Sequence, residues 1–300
     1  MTQTTGLRAV LMLVVLSLAG TAVAMNQSIM LPLLSDLPRL LDTSAASASW
    51  LVTATLLAGA LATPNISRLA DMFGKRRMVL VSLAAMVAGS LIGALADSLA
   101  PMLVARALQG TGMALVPVGI AIMRDMLPRH HVPLGVALMS ATMAVGAGVG
   151  MPLFGLVAAR MDWHALFWIT GGLGAAVLVA IALVVDESPI RTAGRFDYLG
   201  AILLSVALSA LLLALSKGGS WGWASRPTLL SALCGLLVLA LWVPQQLRAP
   251  AGGRPAHRRA ARSASREHRR HAHGVCDVRR SPRDLTAPPG AQPRRDRPRP

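Results

Sequence analysis

The side chains that could do chemistry in this sequence are few, and long apolar runs separate them. One group is a charged cluster in which Asp71 is followed by Gly74, Lys75, Arg76 and Arg77. The glycine predicts a tight turn, Asp71 falls at a helix end, and the cations suit the anionic inner leaflet of a membrane. An anchor that only fixes topology would explain the cations, but it would not explain the order Asp-x-x-Gly-basic.

A second candidate is Arg106, in the run RALQGTG at residues 106–112, which also contains Gln109. It is the one ionised residue well inside a predicted membrane span, where burying a charge costs about 3 kcal/mol or more. Such a residue is a functional candidate by default. The alternative is an arginine that extends from a helix end to the outer interface. Gly110 and Gly112 would let a neighbouring helix approach closely.

A third group is a stretch dense in small side chains, GAGVGMPLFG at residues 146–155. Gly146, Gly150 and Gly155 would make a smooth helix face, and Pro152 predicts a bend. Any close pair of helices could use such a face, so the pattern alone does not distinguish a moving hinge from static packing.

The elements that must position these residues are membrane helices. The chain has 300 residues, of which 54% are apolar and 14% charged, whereas a soluble domain has about 25% charged residues. Apolar runs of about 20 residues, the length that crosses a bilayer core, alternate with short polar joints. Their backbone groups must be satisfied internally, so each run is a helix. The eight predicted spans are 9–30, 47–64, 78–96, 101–123, 133–158, 165–185, 197–216 and 228–247.

Basic residues in the joints predict the orientation. Nine lie on one side of the membrane and four on the other, and the richer side belongs in the cytoplasm. The richer set is Arg8, Arg68, Lys75, Arg76, Arg77, Arg124, Arg129, Arg191 and Arg195. The other set is Arg39, Arg160, Lys217 and Arg226. We therefore expect a multi-pass protein of the bacterial inner (plasma) membrane with both termini cytoplasmic.

Residues 249–300 differ from the rest of the chain. They contain 14 Arg and 8 Pro but no Lys, Ile, Phe, Met, Trp, Tyr or Asn, so they cannot bury a core and are expected to be disordered. An out-of-frame reading of GC-rich DNA gives this composition, and a frameshift near residue 250 is the preferred explanation. The alternative is a genuine cationic tail for nucleic acid or anionic lipid. Nucleic acid is the less expected partner, because the tail has no aromatic side chains for base stacking.

The charged cluster after the second span resembles the signature loop of the major facilitator superfamily, of the form G-x-L-x-D-R-x-G-R-[RK]. The matching positions are Leu69, Asp71, Gly74, Lys75 and Arg76, whereas Ser67 and Met72 replace a glycine and an arginine. In that family the loop latches the two halves of the transporter together on the cytoplasmic side. The resemblance therefore implies a conformational latch made of Asp71, Gly74, Lys75, Arg76 and Arg77.

Further stretches resemble motifs of the same family. The run at 106–112 resembles the R-x-x-Q-G-x-G motif of the fourth helix, which implies that Arg106, Gln109 and Gly110 serve proton coupling. The stretches at 196–200 and 218–223 resemble the F-D-x-x-G and G-x-x-W-G-W marks of the 14-helix drug:proton antiporter subfamily.

The glycine-rich stretch resembles the antiporter motif G-x-x-x-G-P-x-x-G-G, with the proline one place late and Phe154 at a glycine position. The resemblance implies a helix-5 hinge made of Gly146, Gly150, Pro152 and Gly155.

The first span departs from the family pattern. The 14-helix exporters usually carry an acid upstream of a Leu-Pro pair that matches Leu31-Pro32, and Val23 stands at that place here. Asn26 and Gln27 are the polar residues nearby, and they are our candidates for contacts in the substrate cavity. A neutral amide can hydrogen-bond a substrate, but it cannot carry a transported proton.

The resemblance implies an all-α membrane protein in three parts. These are an N-terminal six-helix transporter bundle at 1–186, two extra linking transmembrane helices at 187–248, and the tail at 249–300. The implied function is efflux of small organic compounds or drugs by proton antiport, with no cofactor and no metal. The implied partners are a small-molecule substrate, the lipid bilayer and a proton as coupling ion. Because such transporters enclose substrate between two bundles, the missing C-terminal bundle leads us to expect inefficient transport by this chain alone.

Two other function classes remain as alternatives. One is a non-transporting membrane anchor or regulator whose cationic tail binds nucleic acid or anionic lipid. The other is an enzyme, and the sequence argues against it because no nucleophile–base set, metal-ligand cluster or phosphate-binding loop is recognisable.

Overall fold

The computed structural model describes residues 6–190 and 196–248. Within those residues the chain is helical and forms no strand. Eight helices there are long and apolar enough to cross a membrane, which confirms the eight predicted spans. They are α1 (Gly6–Leu33), α2 (Ala45–Phe73), α3 (Lys75–Ala94), α4 (Leu99–Met126), α5 (Val132–Arg160), α6 (His164–Val184), α7 (Tyr198–Trp221) and α8 (Arg226–Leu247). The tail at 249–300, Arg191 and Arg195 lie outside the described residues.

Local sequence sets where these helices begin, end and deform. Ser44 caps α2, because its hydroxyl accepts a hydrogen bond from the Ser47 amide at 3.1 Å. Gly74 separates α2 from α3 with a φ of +117°, a backbone conformation that glycine adopts without steric cost. Within α4, a 3₁₀ turn at Thr111–Ala114 tightens the helix immediately after Gly110.

Helices α1 to α6 pack as two groups of three that follow an internal repeat. α1 packs on α5 and α6, α4 packs on α2 and α3, and α3 packs on α6. Exchanging the first three helices with the second three converts the α1 pairs into the α4 pairs and leaves the α3–α6 pair unchanged. This is the packing expected of a 3+3 repeat, and it gives α1 and α4 equivalent positions in the bundle.

The interior of the six-helix bundle has two apolar cores with a polar layer between them. One core includes Leu16, Leu83 and Ile122, and the other includes Met102 and Phe167. On α1, α3 and α4, the residues of the layer lie between the residues of one core and those of the other. Its members are Asn26, Ser90, Arg106 and Gln109, all of them buried.

α7 and α8 pack against each other as a hairpin, and α7 also packs on α2. Polar contacts join α7 to α2. The Asn65 amide donates to Ser205 Oγ at 3.1 Å, and the Thr53 and Ser216 hydroxyls lie 2.8 Å apart. These contacts attach the hairpin to the six-helix bundle through one helix face.

The sequence prediction was wrong about the C-terminal end of α7. The predicted span stopped at residue 216, which put Lys217 in the following joint, but the helix continues to Trp221 and Lys217 is only 3% exposed. The Lys217 ammonium donates to Ser49 Oγ at 2.6 Å and lies 4.2 Å from the centre of the Trp50 ring. A hydroxyl and an aromatic face therefore hold this cation between α7 and α2.

Candidate functional site

The first candidate region is the end of the bundle that holds the α2–α3 turn. Lys75 is buried there, and its ammonium lies 2.5 Å from Asp125 Oδ2 and 3.7 Å from Asp71 Oδ1. The Ser188 hydroxyl donates to the same Asp125 oxygen at 2.5 Å. The side chain of Asp125 is 13% exposed, whereas that of Asp71 is 44% exposed. Asp125 is thus the close partner of Lys75, and Asp71 stays accessible at the surface.

The α2–α3 turn is also fixed to the segment that follows α6. The Arg76 backbone amide donates to Glu187 Oε1 at 3.1 Å, and the Arg76 guanidinium donates to the Ala182 carbonyl. The Glu187 carboxylate lies so close to Gly74 that an added Cβ would approach it to 2.8 Å. Glycine at this position is therefore needed both for the backbone conformation and for the close contact with Glu187. Arg77, the last residue of the charged cluster, is exposed.

Sequence reasoning missed three members of this network: Asp125, Glu187 and Ser188. The available signal was the position of each acid, since Asp125 ends α4 and Glu187 follows α6 by only a few residues. In a bundle built from internal repeats, helix ends on the same side of the membrane can come together around the axis that relates the repeats. Acids at the ends of α4 and α6 were therefore candidates to face the basic α2–α3 turn.

The second candidate region is the polar layer between the two cores. Arg106 is 2% exposed, so it does not extend to the membrane interface. Its guanidinium Nη1 donates to Gln109 Oε1 at 2.5 Å and to Asn26 Oδ1 at 3.5 Å. Gln109 Nε2 then donates to Ser90 Oγ at 2.9 Å. The structure thus brings together a predicted coupling pair and one of the two predicted cavity residues.

This layer has more hydrogen-bond donors than acceptors. Arg106 Nε and Asn26 Nδ2 are buried without a hydrogen-bond partner among the residues that the structure describes, and so is Nε2 of the neighbouring Gln27. Within those same residues, Arg106 also forms no salt bridge. Buried polar groups are normally paired, so the unpaired donors distinguish this layer from ordinary core packing.

Glycine 110, the third predicted coupling residue, lies at the crossing of α4 and α2. An added Cβ would overlap the Thr55 carbonyl oxygen and lie 2.9 Å from Ala58 Cβ. The crossing partner on α2 is another glycine, Gly59, whose amide nitrogen would be 3.1 Å from that Cβ. Close approach of the two backbones therefore requires small residues on both helices.

The predicted helix-5 hinge residues separate into two pairs. An added Cβ at Gly146 would lie 2.9 Å from the Thr21 carbonyl oxygen, and one at Gly150 would lie 3.2 Å from Ser28 Cβ, so both glycines pack on α1. A Cβ at Gly155 would meet nothing within 4 Å, and Pro152 is exposed. α5 passes through Pro152 as one helix.

Asp197 closes the α7–α8 hairpin at the beginning of α7. Its carboxylate accepts hydrogen bonds from the Gly200 amide at 2.8 Å, from Gln246 Nε2 at 2.8 Å and from Gln245 Nε2 at 3.1 Å. The Gly200 amide is the largest cause that lowers the pKa of Asp197 below its usual value, and the two glutamine side chains add to it. The ionised carboxylate thus connects the start of α7 to the end of α8.

Comparison with known proteins decides the family. A family model described as Major Facilitator Superfamily matches residues 16–196, which is more than half of the chain. The chain belongs to the Major Facilitator Superfamily. It is a multi-pass membrane protein of that transporter family, and the matched range covers α2 to α6 and most of α1.

Relatives of this superfamily member include resistance proteins. It is 30% identical over 70% of its length to the multidrug resistance protein Stp of Mycobacterium tuberculosis (strain CDC 1551 / Oshkosh), of which it covers 40%. It is 30% identical over 70% of its length to the tetracenomycin C resistance and export protein of Streptomyces glaucescens, of which it covers 39%. The chain thus spans less than half the length of these relatives.

Solved structures support the fold of the major facilitator bundle. The POT family transporter PepTSo matches with a TM-score of 0.58 at 14% identity, covering 77% of this chain and 52% of that one. The human organic anion transporter MFSD10 matches with a TM-score of 0.53 at 16% identity, covering 81% of this chain and 72% of that one. At these identities the likeness concerns the fold alone.

Proposed function

We propose that this protein forms part of an exporter that moves small organic compounds or drugs out of the cell in exchange for protons. The observation that carries the proposal is the charged network of Lys75, Asp125, Arg76 and Glu187, which fixes the family's signature loop to the ends of α4 and α6. The names of two relatives, a multidrug resistance protein and a resistance and export protein, support export as the direction.

We assign the latch role to the exposed residues of this network, Asp71 and Arg77. Asp71 is the most exposed acid of the loop, since its side chain is 44% exposed while Asp125 takes the closest contact to Lys75. An exposed carboxylate beside an exposed Arg77 can pair with a second bundle when the pathway is closed on that side. Gly74, Lys75 and Arg76 hold the turn in place for that contact.

The coupling role belongs to the polar layer. Arg106, Gln109 and Gly110 are our coupling residues, and Asn26 and Gln27 are our candidates for substrate contact. In the described residues, the carboxylates of α1 to α8 lie at helix ends, such as Asp71 and Asp125. A proton-carrying acid in the membrane interior is therefore expected on a second bundle, where it would approach Arg106.

Transport is proposed to need that second bundle, because substrate binds between two bundles that rock against each other. Gly146, Gly150, Pro152 and Gly155 would form the hinge face of α5 toward that movement. The proposed setting is the bacterial inner membrane with both termini in the cytoplasm, as the basic joints indicate.

A vesicle assay tests the proposal. Ethidium efflux driven by a pH gradient is measured in vesicles that contain the 300-residue chain alone, or the chain joined to the C-terminal half of the tetracenomycin C resistance and export protein from Streptomyces glaucescens. We expect gradient-dependent flux in the joined protein and none from the chain alone. Asp71→Asn should reduce the flux of the joined protein. The matched control is Asp42→Asn, the same substitution at another exposed aspartate, and it should leave the flux unchanged. Efficient pH-driven flux by the chain alone would contradict the proposal.

A further inference from the structure

In the described part of the chain, the polar layer between the two cores contains a cation, Arg106, with no anion beside it. Arg106 is 2% exposed and Asn26 is 1% exposed, so bulk water does not solvate either side chain. Among the residues that the structure describes, the groups hydrogen-bonded to Arg106 are the neutral amides of Asn26 and Gln109. An arginine cannot lose its proton to relieve this, because its guanidinium stays charged in proteins.

The directions of the hydrogen bonds show what the layer lacks. A guanidinium only donates, so the oxygen of Asn26 and the oxygen of Gln109 must face Arg106. Gln109 Nε2 donates to Ser90 Oγ, and the Ser90 hydroxyl donates onward to the Met86 carbonyl at 3.1 Å. Each side-chain acceptor of this hydrogen-bond chain thus already accepts one hydrogen bond.

Two donors are left over at the Arg106 end of the chain of hydrogen bonds. They are Arg106 Nε and Asn26 Nδ2, both buried and without a hydrogen-bond partner within residues 6–190 and 196–248. Arg106 Nη1 and Asn26 Oδ1 lie 3.5 Å apart, so the two unpaired donors belong to side chains that are in contact with each other. Gln27 Nε2 is also unpaired, but consecutive residues of a helix point about 100° apart, and we do not assign it to the same group.

Unpaired N–H donors beside a positive charge are best satisfied by an acceptor that carries negative charge. A water molecule could accept both hydrogen bonds, but it would leave the charge of Arg106 uncompensated in a medium of low dielectric. A planar carboxylate or a sulfonate can do both, since it presents several acceptor oxygens and pairs with a guanidinium in a matching geometry.

The surroundings restrict the kind of anion. Met102, Ala105 and Ile29, which flank the layer on α4 and α1, are buried members of an apolar core. A strongly hydrated ion would lose its water shell there with little compensation, whereas an anionic group on an apolar body is already weakly hydrated. Met25 and Gln27, on either side of Asn26, are partly exposed.

We propose that Arg106 and Asn26 form a binding site for the carboxylate or sulfonate group of a singly charged, weakly hydrated organic anion. The proposal rests on the proposed export function, because it names the substrate class of the same layer: the substrate supplies the negative charge that this half of the transporter lacks. Gln109 and Ser90 are positioning residues, since they hold the Arg106 side chain through the Gln109 oxygen.

Binding to the purified 300-residue chain in detergent tests this directly, by calorimetric titration and by thermal unfolding. The probe is benzenesulfonate, with sodium chloride as the inorganic anion and benzyltrimethylammonium as the cation of similar size. Benzenesulfonate should bind at a single site and raise the unfolding temperature, and the cation should do neither. Arg106→Gln should weaken benzenesulfonate binding at least about thirtyfold, because it removes the buried charge partner.

Two further variants keep the test informative if Arg106→Gln fails to fold. Asn26→Leu removes one donor and leaves the cation, so benzenesulfonate affinity should fall by about fivefold to tenfold. The matched control is Arg129→Gln, an exposed arginine in the α4–α5 loop, which should change the affinity by less than about twofold. Both variants can be checked for folding by their thermal transition before titration.

Three results would overturn the proposal. They are an absence of saturable benzenesulfonate binding to the folded chain, a chloride affinity above that of benzenesulfonate, and an equal loss of affinity in Arg106→Gln and Arg129→Gln. This test is separate from the export assay, because anion binding needs no second bundle and no pH gradient. Failure to bind anions would leave export of neutral or cationic compounds untouched, and failure of export would leave the binding result standing.

Discussion

The strongest test of the charged loop is the substitution of Gly74 by alanine. Gly74 has a φ of +117° and a ψ of 132°, a region of backbone space that is almost restricted to glycine. The Cβ of an alanine would also lie 2.8 Å from the carboxyl carbon and both oxygens of Glu187. Both the turn and the segment after α6 must therefore change to accept the new methyl group.

The cost follows from these two effects. Holding a non-glycine residue in such a region costs about 1–3 kcal/mol. Moving Glu187 away breaks its hydrogen bond with the Arg76 amide, and a hydrogen bond to a charged group contributes about 1.5–3 kcal/mol. The two terms overlap where the backbone relaxes, so we expect Gly74→Ala to lower the free energy of unfolding by about 3 kcal/mol.

The assay is denaturation of the purified chain in mixed micelles, followed by tryptophan fluorescence and circular dichroism. The matched control is Gly148→Ala, since a Cβ at Gly148 would meet nothing within 4 Å and its helical backbone favours alanine. The control should be neutral or stabilised by up to about 1 kcal/mol. Equal stabilities of Gly74→Ala and Gly148→Ala would refute the reasoning, because they would show that the turn does not depend on glycine.

Four other perturbations follow from the same structure. Lys75→Met should cost about 3 kcal/mol by leaving the Asp125 carboxylate, which is mostly buried, without its cation, and adding Asp125→Asn should recover part of that cost in a double-mutant cycle. Gly110→Ala should cost about 1–3 kcal/mol by overpacking the α4–α2 crossing, measured by denaturation. Asp197 stabilises the hairpin when ionised, so the stability of wild type over Asp197→Asn should be full above about pH 4 and should shrink as the pH falls through the lowered pKa. Lys217→Gln should cost about 1–2 kcal/mol by removing a desolvated cation–π contact, without changing the affinity for benzenesulfonate.

Three of these predictions have an outcome that would contradict them. A purely additive Lys75–Asp125 cycle would mean that the two side chains do not interact. Gly155 is the matched control for Gly110, because a Cβ there meets nothing within 4 Å, and equal effects would contradict the crossing argument. A pH profile of wild type parallel to that of Asp197→Asn would remove the carboxylate from the stability of the hairpin.

Hydropathy predicts the membrane helices well because length and apolarity are what a bilayer selects. The same argument explains the error at α7. Gly218 and Gly219 weaken a helix in water by about 1 kcal/mol each, and together with Lys217 they resemble the start of a joint. In an apolar environment an unpaired backbone amide is more costly than this propensity loss, so the helix continues to Trp221.

The candidate sites were predictable only in part. Asp71, Gly74 and Arg106 could be located because an acid, a positive-φ glycine and an intramembrane cation are visible one residue at a time. Their partners could not be located, because no local sequence pattern indicates which helix ends come together in the fold. Asp125 and Glu187 became partners of Lys75 and Arg76 through the packing of α4 and α6 on α3.

Away from the α2–α3 turn, the described residues include two buried cations, Lys217 and Arg106, and they are held in different ways. Lys217 has a Ser49 hydroxyl and the face of Trp50, and a π-face supplies negative potential without a formal charge. Arg106 has neither an acid nor an aromatic face among the described residues, and its contacts are two amides that keep a donor unpaired beside it. Static packing explains the first arrangement, because a hydroxyl and an aromatic face of the same chain contact the cation. It does not explain the second, since a cation that is stabilised only by neutral oxygens gains the most from an anion that arrives from elsewhere.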